Sequence, residues 1–138
     1  MHNRFAVAAG AAVTIALLAG CSSPQPPTPP SAGVSINGGN ALQTEAVECT
    51  QLQWSWTIDI GDTESGAKVN IDGSGQTPTA TSVHIHNVGG FSGISSQGNG
   101  NADTRVSDQT FTITGTANGI DTDSARPASA QYKIVARC

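Results

Sequence analysis

The sequence predicts an all-β fold: an antiparallel β-sandwich or open barrel of about seven to nine short strands with one disulfide. Three observations carry that expectation. Apolar residues recur with a period of two in segment after segment beyond residue 33, and no apolar stripe at helical spacing competes with them. Those segments are separated by Gly, Asn, Asp and Ser, with sixteen glycines in 138 residues, the composition of tight turns between strands. Finally, Cys49 and Cys138 each fall on the apolar face of their own segment, so both thiols can look into one core.

The chain opens with Arg4 and an apolar run from Phe5 to Ala19, ending in Leu18-Ala19-Gly20-Cys21. The run is too short, and too interrupted by Gly10 and Thr14, to span a bilayer, a task that takes about 20 apolar residues. It reads instead as an export leader, with the small residues a signal peptidase accepts beside its scissile bond. The cysteine directly after them resembles the bacterial lipobox, in which the thiol is alkylated with diacylglycerol before cleavage. Residues 1–20 are therefore assigned as a lipoprotein signal peptide, and Cys21 as the lipidated first mature residue. From Ser22 to Gly33, five prolines fix φ and remove amide donors, so residues 21–33 are assigned as an extended tether and 34–138 as the all-β domain.

Cleavage removes Arg4 and leaves five basic against ten acidic side chains, a net charge of −5. That balance excludes nucleic acid, which is held mainly by Lys and Arg on phosphates. It also gives no attraction to anionic lipid, so acyl chains must hold the protein on the extracytoplasmic side of the cell membrane. In that oxidising compartment Cys49 and Cys138 are expected to be bonded rather than free. The bridge closes a loop of 89 residue steps, worth about 4 kcal/mol in the chain-entropy model.

Within the domain the strands follow in order. Val34 and Ile36 alternate with polar residues before the turn Asn37-Gly38-Gly39-Asn40. Val47 and Cys49 share a face. Trp54, Trp56, Ile58 and Ile60 form the clearest apolar face, ended by Gly61-Asp62, and Ala67, Val69 and Ile71 form the next, ended by Asp72-Gly73. Thr81 to Val88 is a strand whose core face is Val83, Ile85 and Asn87. A glycine-rich connection follows around Gly89, Gly90 and Gly93. Ala102, Thr104 and Val106 precede a turn at Ser107-Asp108. Gln109–Ala117 is a strand with Asn118-Gly119 as its turn, and Pro127 lies in the loop before a last strand that turns Tyr132, Ile134, Ala136 and Cys138 to one side.

Several of these segments carry a family resemblance. Gln97-Gly98-Asn99-Gly100-Asn101-Ala102, the run from Phe111 to Asp121 with its Thr114-Gly115-Thr116-Ala117-Asn118-Gly119 core, and Tyr132-Lys133-Ile134-Val135-Ala136-Arg137-Cys138 resemble the mycobacterial LpqH-type lipoproteins, the nineteen-kilodalton antigen. The lipobox, the low-complexity tether and two further cysteines match in the same order. The tether departs from the family in being proline-rich rather than rich in Thr, Ala and Gly. The resemblance implies a membrane-anchored, surface-displayed antigen, sensed by host Toll-like receptors through its acylated cysteine, with a suggested role in ligand transport.

Candidate chemistry is sparse, and no cofactor is implied. His84 and His86 lie two apart on a strand, the spacing at which adjacent metal ligands share a face, yet a closed site needs three or four ligands and the rest would have to come from carboxylates such as Asp59 or Asp103. Gly90-Phe91-Ser92-Gly93-Ile94 has Ile where a nucleophile elbow has its last glycine. Gly98 to Asp103 lacks both the third glycine of a dinucleotide loop and the ligand pattern of a calcium loop. Trp54 and Trp56 are either core or the wall of a slot for an apolar ligand, with core preferred because Ile58 and Ile60 continue their face. The domain is thus expected to be non-enzymatic, with a lipid or other apolar molecule as its alternative partner.

Overall fold

The computed structural model describes residues 28–138. Cys21, the leader and the tether up to residue 27 lie outside them. Ten strands follow one another: β1 (Ser31–Ile36), β2 (Gly39–Thr44), β3 (Val47–Leu52), β4 (Ser55–Gly61), β5 (Gly66–Asp72), β6 (Thr79–Val88), β7 (Phe91–Ser96), β8 (Asn101–Ser107), β9 (Thr110–Asp121) and β10 (Pro127–Arg137). They form one antiparallel sheet in the order β2-β1-β10-β9-β7-β6-β5-β4-β3, with β8 added beside β9. The sheet curls into a nearly closed barrel, because its apolar face can leave water only by folding over on itself.

Period-two alternation explains what lies inside. Ile58 and Ile60 of β4, Val69 and Ile71 of β5, Val83 and Ile85 of β6, Phe111 and Ile113 of β9, and Tyr132, Ile134 and Ala136 of β10 are all buried in one cluster. The outer face is polar. Across β4, β5 and β6, Thr57 Oγ1 donates to Asn70 Oδ1 (3.1 Å) and Asn70 Nδ2 donates to Ser82 Oγ (2.8 Å). Among the described residues no buried side-chain nitrogen or oxygen lacks a partner, as a stable interior requires.

The longest strand, β9, carries two partners on one edge: β8 pairs with Thr110–Thr116 and β7 with Asn118–Asp121, while β10 runs along the other edge throughout. Where β7 and β9 meet, Gly93 faces Gly119. A Cβ on Gly119 would collide with the backbone of Ser92 and Gly93, so only glycine permits this approach. The Asn101 carbonyl, where β8 begins, accepts from both Tyr132 Oη (3.0 Å) and Ser95 Oγ (2.8 Å), which ties β8 to β10 and β7. Burial pushes the Tyr132 phenol above its usual value.

The structure corrects several sequence expectations. Ten strands replace seven to nine, because β2 and β7 occupy stretches read as a turn and a glycine-rich connection. In β2 only Leu42 packs against the core, so an edge strand shows almost no apolar alternation. β1 begins at Ser31 and buries Ala32, moving the domain boundary three residues into the expected tether. Asn118-Gly119 is not a turn but continues β9, and Pro127 opens β10 opposite Ile120. Asn87 does not face the core: it adopts φ 49° in a bulge, and Val88 takes the buried place instead. The first hairpin turn is only Asn37-Gly38, both at positive φ as a type I′ turn requires, and the turn before β9 is Asp108-Gln109, one residue later than expected.

Elsewhere, aspartates cap the longer loops. Asp62 accepts from the amides of Ser65 and Glu64, Asp121 from the amide and hydroxyl of Ser124 and the amide of Asp123, and Asp72 from the hydroxyl and amide of Ser74, which lowers each carboxyl below its usual value.

Cys49 and Cys138 are bonded, with Cα atoms 5.8 Å apart. The bond joins β3, at one edge of the sheet, to the residue following β10, six places away in the strand order. Replacing both cysteines by serine should lower unfolding free energy by about 2–5 kcal/mol in denaturant titrations. An unchanged midpoint would mean that packing alone closes the sheet.

Candidate functional site

The disulfide forms one wall of an apolar recess. Trp56 leaves β4 on the inward side, two residues before Ile58, and meets Phe111 of β9 with ring centroids 5.3 Å apart at a 55° tilt. Phe111 is placed by the tight Asp108-Gln109 turn, which also sets Val106 opposite it across the hairpin. The Cys138 amide donates to the Gln109 carbonyl at 3.0 Å and holds the disulfide against this turn. The result is an open recess of about 350 Å³ lined by Cys49, Trp56, Val106, Gln109, Phe111 and Cys138. None of the side chains that line the recess is titratable. It can accommodate an apolar group, at the lower end of the size range of small-molecule pockets.

Trp54 is not part of this recess. The expectation that it shares a buried face with Trp56 fails because β4 starts at Ser55: Gln53 and Trp54 are the two turn residues of the β3–β4 hairpin, with Gln53 at φ 57°. Trp54 is 59% exposed, and Leu52 on the other side of the turn is 76% exposed. Trp56 is only half-buried. The alternation of apolar residues through the turn mimicked one strand, and a two-residue turn without Gly or Asn left no punctuation to reveal it.

His84 and His86 both lie on the exposed face of β6. Lys68 stands between His84 and Asp59 in the register, and its ammonium lies 3.8 Å from the Asp59 carboxylate, so a cation already occupies the approach to that ligand. His86 Nε2 lies 2.7 Å from the carbonyl of Asp62 and fastens the β4–β5 loop. Asp103 is on β8, beside Arg105. Among the described residues no three His, Cys, Asp or Glu side chains come together as a metal cluster.

The remaining motifs have structural duties. Ser92 Oγ accepts from the Asn87 amide (2.7 Å) and closes the bulge at the end of β6. Asn101 Oδ1 accepts from the Thr116 amide, and Asn118 Nδ2 donates to Asn99 Oδ1. Larger grooves beside β1 and β10, one of about 590 Å³, are open and bordered by Ser, Thr, Gln and Lys side chains. Cys21 lies outside the described residues.

Phe111 and Val106 were legible as alternating apolar residues, but nothing local in the sequence placed them against Trp56. Their separation from Trp56 by fifty residues or more makes the recess a product of sheet closure. Trp56→Ala should cost about 2–3 kcal/mol, less than a fully buried aromatic, whereas Trp54→Ala should shift stability by less than about 0.5 kcal/mol. Thermal unfolding of the two variants side by side would separate them, and equal losses would contradict the assignment of Trp54 to an exposed turn.

Comparison with known proteins gives these features a context. Residues 25–138 match the family model of the Mycobacterium 19 kDa lipoprotein antigen. A protein named as a lipoprotein in Mycobacterium indicus pranii is 51% identical over the full length of both chains. Another so named in Mycobacterium avium subsp. hominissuis is 43% identical over 100% of this chain and 97% of its own. Lipoprotein LpqH of Mycobacterium tuberculosis is 32% identical, with 94% of each chain covered. A matched segment that includes all ten strands, together with relatives aligned over nearly their whole length, leaves one conclusion: this chain belongs to the mycobacterial 19 kDa lipoprotein antigen family.

Proposed function

We propose that the chain is a non-enzymatic envelope lipoprotein, held by acyl groups on Cys21 to the extracytoplasmic side of the cell membrane and displayed from there as an antigen. In this reading a host Toll-like receptor senses the acylated cysteine, and the β domain is the cargo that the anchor presents. The observation that carries the proposal is the placement of Cys21 directly after Leu18-Ala19-Gly20 in a chain of a lipoprotein family. The apolar side chains that line the recess favour binding or display over catalysis.

Cys21→Ala should yield an unacylated precursor by intact mass and should abolish stimulation of receptor-bearing reporter cells. Normal acylation of that variant would overturn the anchor assignment. Full signalling from an unacylated protein would overturn the receptor reading and leave the anchor in place.

A second reading, a carrier for a lipid or other apolar molecule in the envelope, is favoured by the recess beside Trp56. Organic extraction of purified protein should then release about one apolar molecule per chain. Trp56→Ala should reduce that yield. Clean protein, or a yield independent of Trp56, would eliminate the carrier reading.

A further inference from the structure

We infer that the tip of the β3–β4 hairpin, Leu52-Gln53-Trp54, docks into the interface of the bilayer that holds the anchor, so that the domain lies on the membrane in a set orientation instead of swinging freely. The inference rests on the anchor proposed above and concerns a surface that anchoring alone does not assign.

Three observations converge on this tip. Among the described residues Leu52 and Trp54 are the two most exposed of the large hydrophobic side chains, and a two-residue turn thrusts them outward together. The hairpin around them is uncharged from Cys49 through Ile58, in a chain with sixteen charged residues. Tryptophan beside an aliphatic side chain, free of nearby charge, suits the boundary between headgroups and acyl chains, where an amphipathic ring has both its environments.

The tether selects the occupant. β1 starts at Ser31, paired with Arg137, and the next residue, Cys138, is bonded to Cys49, three residues before Leu52. Adding the cross-strand, disulfide and along-strand steps places Leu52 within about 25 Å of Ser31. Ten residue steps separate Ser31 from Cys21, at most about 35 Å when extended. The anchor therefore leaves the domain near the hairpin tip, and the tether lets that tip reach the surface. Val106, 41% exposed at the rim of the recess, widens the apolar patch in the same region. The mature charge of −5 means that the contact must be apolar and must not depend on anionic lipid.

The two tryptophans provide their own probe. Acylated full-length protein carrying Trp56→Phe keeps Trp54 as its one indole and is reconstituted into phosphatidylcholine vesicles. Flotation of the vesicles reports the anchor, and quenching of Trp54 reports the tip. The expected result is flotation with iodide quenching at least about threefold weaker than in the unacylated Cys21→Ala form, together with quenching by lipids brominated near the headgroup. The reciprocal Trp54→Phe protein should show no such change at Trp56. A floating protein whose Trp54 stays as open to iodide as in the unacylated form overturns the docking and leaves the anchor standing. Shielding that appears without vesicles and grows with protein concentration assigns the tip to a second copy and likewise overturns it. Protein that carries no lipid and does not float overturns both readings.

Discussion

The fold depends on closing one sheet over its own apolar face. A flat ten-stranded sheet would leave Ile58, Val69, Val83, Ile113 and Ile134 in water, whereas curling removes all of them at once. The two edge strands, β2 and β3, do not pair with each other in the ladder, so hydrogen bonds do not complete the ring. The seam is bridged instead by covalent chain at two places. Glu45 and Ala46 carry the backbone directly from β2 into β3, and Cys49–Cys138 joins β3 to the end of β10. Trp56 against Phe111 fills the space beside the disulfide. Removing any of these would expose apolar surface shared by both halves of the sheet, which is why a small domain with few aromatics relies on a long-range bridge.

The strand β9 solves a second problem, how to turn the sheet without breaking it. Its one edge serves β8 along its first part and β7 along its last, so the sheet divides at the level of Thr116 and Ala117. The division leaves the β7–β8 connection, Gln97–Gly100, outside the ladder, and that would be unstable if its polar groups were idle. They are not: Ser96 and Asn99 exchange backbone hydrogen bonds, and Tyr132 and Ser95 both donate to Asn101. The Gly93–Gly119 approach and the Asn101 carbonyl are therefore parts of one joint, one by being small and the other by accepting twice.

Alternation made the interior legible in the sequence, since Ile58, Val69, Val83, Ile113 and Ile134 needed only period two to be found, and the cysteine pair followed from facing the same core. Edges and interruptions were less legible. β2 is edge-exposed and lacks an apolar face, Gly93 and Gly119 are strand residues with the composition of turns, and the Gln53-Trp54 turn contains none of the residues that mark turns. The Gln53-Trp54 turn joins neighbours, Leu52 and Ser55, and was hidden by its composition; at Gly93 and Gly119 local propensity was overruled by a partner distant in sequence. The recess was illegible for that reason too, because Trp56, Phe111 and Cys138 become neighbours only when the sheet closes.

Closure also makes the two ends of the domain unlike, and that asymmetry bears on function. One end gathers the start of β1, the disulfide, the apolar recess and the uncharged hairpin tip. Elsewhere, loops such as Gly61–Ser65 and Asp121–Arg126 are secured by aspartate caps and by His86, a polar and well-satisfied surface. The uncharged apolar surface thus lies where β1 begins, and the capped polar loops lie elsewhere. The recess at this end is lined by indole, phenyl, valine and disulfide side chains. The chemistry available there is contact with apolar matter. The same closure that stabilises the fold therefore sets an exposed apolar surface at the end where β1 begins, the end from which the proposed anchor would lead.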